Sequence, residues 1–178
     1  MEPIVFETLR QIRDKHGPRE FGKVAQKLLA IAFCRLCFEV KERSVQDVDI
    51  EAVKSDLKYW LEVKTTDQDE VIIGEKDVSG LKQCELLHGG VTGYAILKVS
   101  LLSDWFIASS KNIKSGAVRL GRFSTRRILP LQDDINRVFP SIVKEFGNQV
   151  LSVTKGKAQF VADRLLREEE INKKQSST

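Results

Sequence analysis

The chain reads as an α/β domain with a mixed central sheet flanked by helices, and three observations predict it. Residues 3–35 carry apolar side chains at helical spacing, and residues 37–65 switch to short runs bounded by turn residues. A further helical stretch, Lys76–His88, is followed by two more apolar runs. Strands, then a helix, then strands place helices on the faces of a sheet.

Taken in order, Ile4, Val5, Leu9 and Ile12 predict a first helix over Pro3–Lys15, broken by His16-Gly17-Pro18. Pro18 suits the first turn of a second helix, whose apolar face is Phe21, Val24, Ala25, Leu28, Leu29 and Ala32. Cys37–Glu42 reads as the first strand. Residues 45–53 and 58–65 then form a β-hairpin around the turn Lys54–Lys58. Asp67–Glu70 is a solvated loop and Val71–Ile73 a short extended piece. The helix at Lys76–His88 ends at Gly89-Gly90. Strands at 93–100 and 104–109 complete the sheet, and residues 111–129 are less regular. Helices follow at Asp133–Phe146 and Val161–Ile171, with Lys173–Thr178 expected to be disordered. The expected organisation is one domain: a core over 1–130, and 131–178 as its C-terminal helical extension with that tail.

Composition narrows the function classes. The longest apolar run, Leu28–Phe33, is far too short to span a membrane. The opening Met1-Glu2-Pro3-Ile4 lacks the basic and apolar regions of a secretory signal. Three cysteines, an odd number, argue against a disulfide framework and for a reducing cytoplasm. The net charge of +4 is unevenly spread. Residues 1–104 hold 15 Lys/Arg against 18 Asp/Glu, a net of −3, whereas 105–178 hold 14 against 7, a net of +7. A basic half of this kind suits a phosphate-bearing partner. No glycine-rich loop ending in Gly-Lys-Ser/Thr is present, which argues against an NTPase, and neither histidine forms a nucleophile pair with a serine.

The hairpin carries the chemistry. Side chains alternate along a strand, so Leu61 and Val63 are expected to anchor the core while Glu62 and Lys64 face outward together. Asp49 on the neighbouring strand is then placed to meet Glu62. Two carboxylates beside an ammonium suit Mg²⁺ and phosphodiester hydrolysis. Mg²⁺ takes one or two carboxylates plus waters and phosphate, and the ammonium orients an attacking water or holds a phosphate oxygen. The plain alternative is a surface hairpin with a cross-strand salt bridge.

From about Gly17 to Ser110 the chain resembles the PD-(D/E)xK nuclease superfamily, most of all its archaeal Holliday-junction resolvase and Mrr-type branches. The residues that carry the resemblance are the helix Arg19–Leu29 with its early Glu20, the Asp47-Val48-Asp49-Ile50 strand, and Leu61-Glu62-Val63-Lys64. A polar helix and the runs Tyr94–Val99 and Trp105–Ala108 complete it. The resemblance implies a restriction-endonuclease-like fold and a Mg²⁺-dependent DNA endonuclease, with Mn²⁺ able to substitute. It implies Asp49, Glu62 and Lys64 as the catalytic triad, with Asp49, Glu62 and the Val63 carbonyl on the metal. Glu20 is implied as a helix-borne acid near that metal, its alternative being a first-turn acid that compensates the helix dipole. Val48 stands where the family often has Pro or Gly, so Asp47 is a rival to Asp49.

Outside the hairpin, Lys111, Lys114, Arg119, Arg122, Arg126 and Arg127 are the expected DNA contacts, against the alternative of a solvated segment. Cys34 and Cys37, with Cys84 and His88, have zinc-type spacing, although cysteines among Phe33, Leu36 and Phe38 are usually core residues. Gln83 is a polar residue on the helix after the Glu-x-Lys strand, where some relatives of the family use one. Cutting both strands symmetrically takes two sites, so a homodimer is expected. One candidate surface is Leu129, Leu131, Ile135, Val138, Phe139, Ile142 and Val143, residues that also suit the chain's own core. The rival reading, from a different class, is a DNA-binding or assembly module that keeps the nuclease fold without its catalysis.

Overall fold

Glycine and proline set the first joint of the molecule. In the computed structural model, which describes residues 2–42, 48–100 and 104–176, Gly17 sits at φ 85° and closes α1 (Pro3–His16) by donating to the Arg13 carbonyl. Pro18 then opens α2 (Pro18–Arg35), where a missing N–H costs nothing. Cys37, at φ 68°, turns the chain out of α2 into β1 (Glu39–Glu42), two residues later than expected. The start of the expected 45–53 strand, with Asp47, lies outside the described residues.

β2 (Ile50–Lys54) and β3 (Leu57–Thr66) pair antiparallel, with Ile50 opposite Leu61 and Lys54 opposite Leu57. The turn is therefore the two residues Ser55-Asp56, not the five expected. Ser55 takes φ 50°, the positive φ that such tight hairpins need. The chain then leaves the sheet through β4 (Glu70–Ile73) and α3 (Glu75–His88). It returns as β5 (Val91–Lys98), parallel to β3, and β6 (Trp105–Ser109) follows antiparallel. The sheet order is β1-β2-β3-β5-β6, a mixed sheet with β3 near its centre. β7 (Gly116–Arg119), within the stretch read as less regular, pairs antiparallel with β4 as a separate two-stranded sheet.

The last two helices, α4 (Leu129–Ser152) and α5 (Ala158–Ser176), both outrun their expected bounds. Pro130 starts α4 early. α5 continues into the stretch expected as a tail, as far as Ser176, and Lys173 Nζ donates to the Phe38 carbonyl at 2.7 Å.

Each face of the main sheet has its own core. α1, α2, α4 and α5 cover one face over Ile50, Leu61, Ala95 and Ile107. α3 and the β4–β7 sheet cover the other, where Trp60, Tyr94, Ile96 and Phe123 are buried. Trp60 hydrogen-bonds through its indole N–H to the Gly89 carbonyl at 2.8 Å. Of the residues considered for a dimer surface, Leu131, Ile135, Phe139, Ile142 and Val143 are buried in the first core, and Leu129 is exposed. No helix among the described residues is long and apolar enough to cross a membrane.

β5 and β6 approach most tightly at Gly93. A Cβ built there would lie 2.5 Å from the Ala108 backbone oxygen, and backbone cannot swing aside. Gly93→Ala is expected to destabilise the protein by about 1–3 kcal/mol, the scale of overpacking in a dense interior. Urea unfolding of the two proteins measures it.

Candidate active site

Asp49 stands one residue before β2, and its carboxylate is fixed by the next strand. Its Oδ2 accepts a hydrogen bond from the Val63 backbone N–H at 2.9 Å, extending the β2–β3 ladder by a side chain. On β3 the alternation sends Leu61 to the first core and Trp60, on the opposite face, to the second. Glu62 and Lys64 share the face of Trp60. Glu62 lies in register with Tyr94 of β5, and Lys64 with Ile96.

That face is not solvent, as the alternation alone suggested. α3 and β4–β7 cover it, and Glu62 is only 7% exposed. Burial, then the neighbouring carboxylates of Asp49 and Asp77, push the Glu62 carboxyl up to about 8, and the Lys64 ammonium opposes them. A hydrogen bond between Glu62 and Asp49 adds to the rise. The Tyr94 hydroxyl is raised by burial and by the Asp77 and Glu62 charges. It is buried with no hydrogen-bond partner among the described residues.

Lys64 is ion-paired at 2.5 Å with Asp77 Oδ2. Asp77 is the third residue of α3, and the same oxygen accepts the Gly74 N–H at 2.8 Å, capping the helix. Sequence reasoning missed Asp77. It looked to Gln83 on that helix, which is exposed. The available signal was an acid at the third position of a helix that starts after Gly74, the usual place for a reciprocal cap.

Glu20 does not join this group. Its Oε1 accepts the Gln159 N–H at 3.2 Å, at the start of α5, where an anion is favoured by the helix dipole. The residue of α2 that reaches the site is Gln26, buried, donating to the Asp49 carbonyl at 3.1 Å and to Glu42 at 3.3 Å. Glu42 is also held by Lys27 at 2.5 Å, and Lys27 pairs with Asp163 of α5 at 2.6 Å. Burial raises the Glu42 carboxyl, against the pull of Lys27. Gln26 was visible in the sequence as a polar residue between Ala25 and Leu28, one turn after Gly22.

The basic stretch lies on the covering layer of the same sheet face. Lys111, Lys114, Arg119 and Arg122 are exposed. Arg127 stacks its guanidinium 4.9 Å from the centre of the Phe106 ring. Arg126 is half-buried, and its Nη1 has no hydrogen-bond partner among the described residues. A shallow cleft beside Lys64 is lined by Thr65, Thr66, Gln68 and Glu70.

The zinc arrangement is not formed. Cys34 belongs to the first core and Cys84 to the second, on opposite sides of the sheet, while Cys37 is exposed. His88 packs on Trp60 at 5.3 Å between ring centres. Burial pushes the Cys34 thiol up to about 12, as for an inert core cysteine. Among the described residues no three His, Cys, Asp or Glu side chains are grouped to hold a metal by themselves.

The Glu62 carboxyl sets a pH dependence. An unfolded glutamate titrates near 4.5 and the folded one near 8, so between these values the folded state binds more protons. Stability therefore falls as pH rises through that window. Glu62→Gln, which mimics the protonated form, is expected to raise the melting temperature above pH 8 by on the order of 5 °C. Below pH 4.5 the two proteins should melt alike. Melting curves across this range check it.

No family model matches the chain, and no curated protein matches it. Among solved structures it is similar to Hjc, a Holliday junction resolvase from the archaeal hyperthermophile Archaeoglobus fulgidus. The similarity covers 54% of this chain and 82% of that one, at 14% identity and a TM-score of 0.45.

Proposed function

We propose that the chain is a Mg²⁺-dependent DNA endonuclease that hydrolyses phosphodiester bonds. One observation carries the reading. Asp49 is held against β3 by the Val63 N–H, its carboxylate bears on the buried Glu62 carboxyl, and Lys64 follows Glu62 on the same face. Packing two carboxylates together lowers stability, so a purely structural hairpin gains nothing from it.

The donor set suits Mg²⁺. The oxygens are hard, and a cation beside them would offset the charge that burial and the Asp49 carboxylate disfavour on Glu62. Two carboxylates with the Val63 carbonyl leave room for the waters that Mg²⁺ keeps. Asp49 and Glu62 would hold the ion, which would supply charge neutralisation at a phosphate oxygen and acidify a bound water. Lys64 places an ammonium at the same edge, able to hold a phosphate oxygen or orient a water. Gln26 holds the main chain of Asp49 and so keeps its carboxylate aimed at β3. Mn²⁺ is read as a substitute ion. Cutting both strands would take two copies of the site, so the reading includes a homodimer.

Asp49→Asn and Glu62→Gln are expected to abolish Mg²⁺-dependent cleavage while folding is kept. Lys64→Ala should slow it by about 10²-fold or more, the scale of one positioned catalytic group. A labelled four-way junction, a flap and a linear duplex, each with and without Mg²⁺, provide the assay and rank the substrates. Parental rates in the Asp49 or Glu62 variant would overturn the site. Mg²⁺ should also raise the melting temperature of the parent more than that of Asp49→Asn.

The exposed cations of the covering layer are read as phosphate contacts. Replacing Arg119 and Arg122 with alanine should weaken binding to all DNA sequences alike. It should also reduce the slope of log affinity against log salt by roughly 0.9 per lost contact. Titrations at several salt concentrations measure this, and an unchanged slope would place the DNA elsewhere.

A further inference from the structure

Asp77 is a third carboxylate beside Glu62, and the proposed reaction leaves it without a task. Its geometry is unusually constrained. It lies in the first turn of α3, and Oδ2 is engaged twice, by the Gly74 N–H at 2.8 Å and by Lys64 Nζ at 2.5 Å. Both partners of the ion pair are largely shielded, with Lys64 24% and Asp77 18% exposed in the side chain. A free lysine side chain is among the most mobile, and losing that freedom is costly. Here the cost is offset by an acceptor that is itself locked to the backbone of a helix.

We propose that Asp77 is a positioning residue for Lys64. It fixes the ammonium at the edge of the Asp49–Glu62 pair and acts on catalysis only through that ammonium. The catalytic consequence rests on the nuclease reading, whereas the placement of Lys64 does not. Asp77 also ties the site to α3, so that the helix covering the Glu62 face holds the cation that acts there.

Asp77→Asn separates the two duties of the residue. The amide oxygen still accepts the Gly74 N–H, so the helix cap and the melting temperature should survive, while the ion pair is lost. Acetic anhydride labelling of the whole protein, read by peptide mass spectrometry, then reports on Lys64 without any reaction. The variant should label at Lys64 roughly threefold faster, the scale of one partly shielded ion pair. Lys58, paired with Glu51, and Lys98, paired with Asp69, should be unchanged. In cleavage assays the variant should lose roughly 10- to 100-fold in kcat, the scale of a misplaced group, with KM held. In a Lys64→Ala background it should lose nothing further, because its effect passes through Lys64. Unchanged labelling at Lys64, an additive loss in the double variant, or a faster Asp77→Asn enzyme would each overturn the proposal. A parent protein that cuts no DNA would defeat the nuclease reading, and the labelling would still decide whether Asp77 holds Lys64.

Discussion

Glu62 sits on β3 in mid-sheet, in register with Tyr94 of β5 and under a packed layer, where a carboxylate loses most of its hydration. Much of the nearby structure is a response to that cost. Asp49 does not relieve it, because two carboxylates in contact repel unless a proton or a cation lies between them. Lys64 relieves it in part, but its ammonium is shared with Asp77. The fold thus accumulates negative charge in a place that an apolar pair would fill more stably.

The surrounding polar groups are arranged to hold backbone rather than to neutralise charge. Asp49 is held by the Val63 N–H on one side and, through its carbonyl, by Gln26 on the other. Asp77 is held by Gly74, at the first turn of the helix that covers Glu62. Each acid therefore has one bond that sets its orientation. Rigid orientation of this sort costs side-chain entropy during folding and saves it at the moment a ligand binds.

How much of this was legible in the chain varied with the range of the interaction. Alternation in Leu61–Lys64 correctly grouped Glu62 with Lys64 and set both opposite Leu61, because strand geometry is local. It could not say which face was wet. That depended on β7, four residues in a glycine- and arginine-rich stretch with no periodic signal, closing over the sheet by pairing with β4. Glu20 was grouped with the hairpin and Gln26 was passed over for a similar reason. A helix presents several faces, and which one meets Asp49 is decided by how α2 and α5 pack together. The helix ends were also misplaced. Apolar spacing marks only the residues that touch the core, whereas α4 begins at a proline and α5 continues on polar residues past its last core contact.

The chain of contacts from Asp49 through Gln26, Glu42 and Lys27 ends on Asp163, a residue of α5. Glu20 also needs α5, for the Gln159 N–H. Elements from early in the chain are thus completed by a helix that lies far later in it. During translation the sheet and α2 emerge well before α5, and until it docks Lys27 and Glu42 lack part of their support. Long sequence separation makes this docking slow relative to hairpin formation. The nascent protein therefore lacks the Lys27–Asp163 ion pair and the Gln159 bond to Glu20 until α5 has left the ribosome and docked.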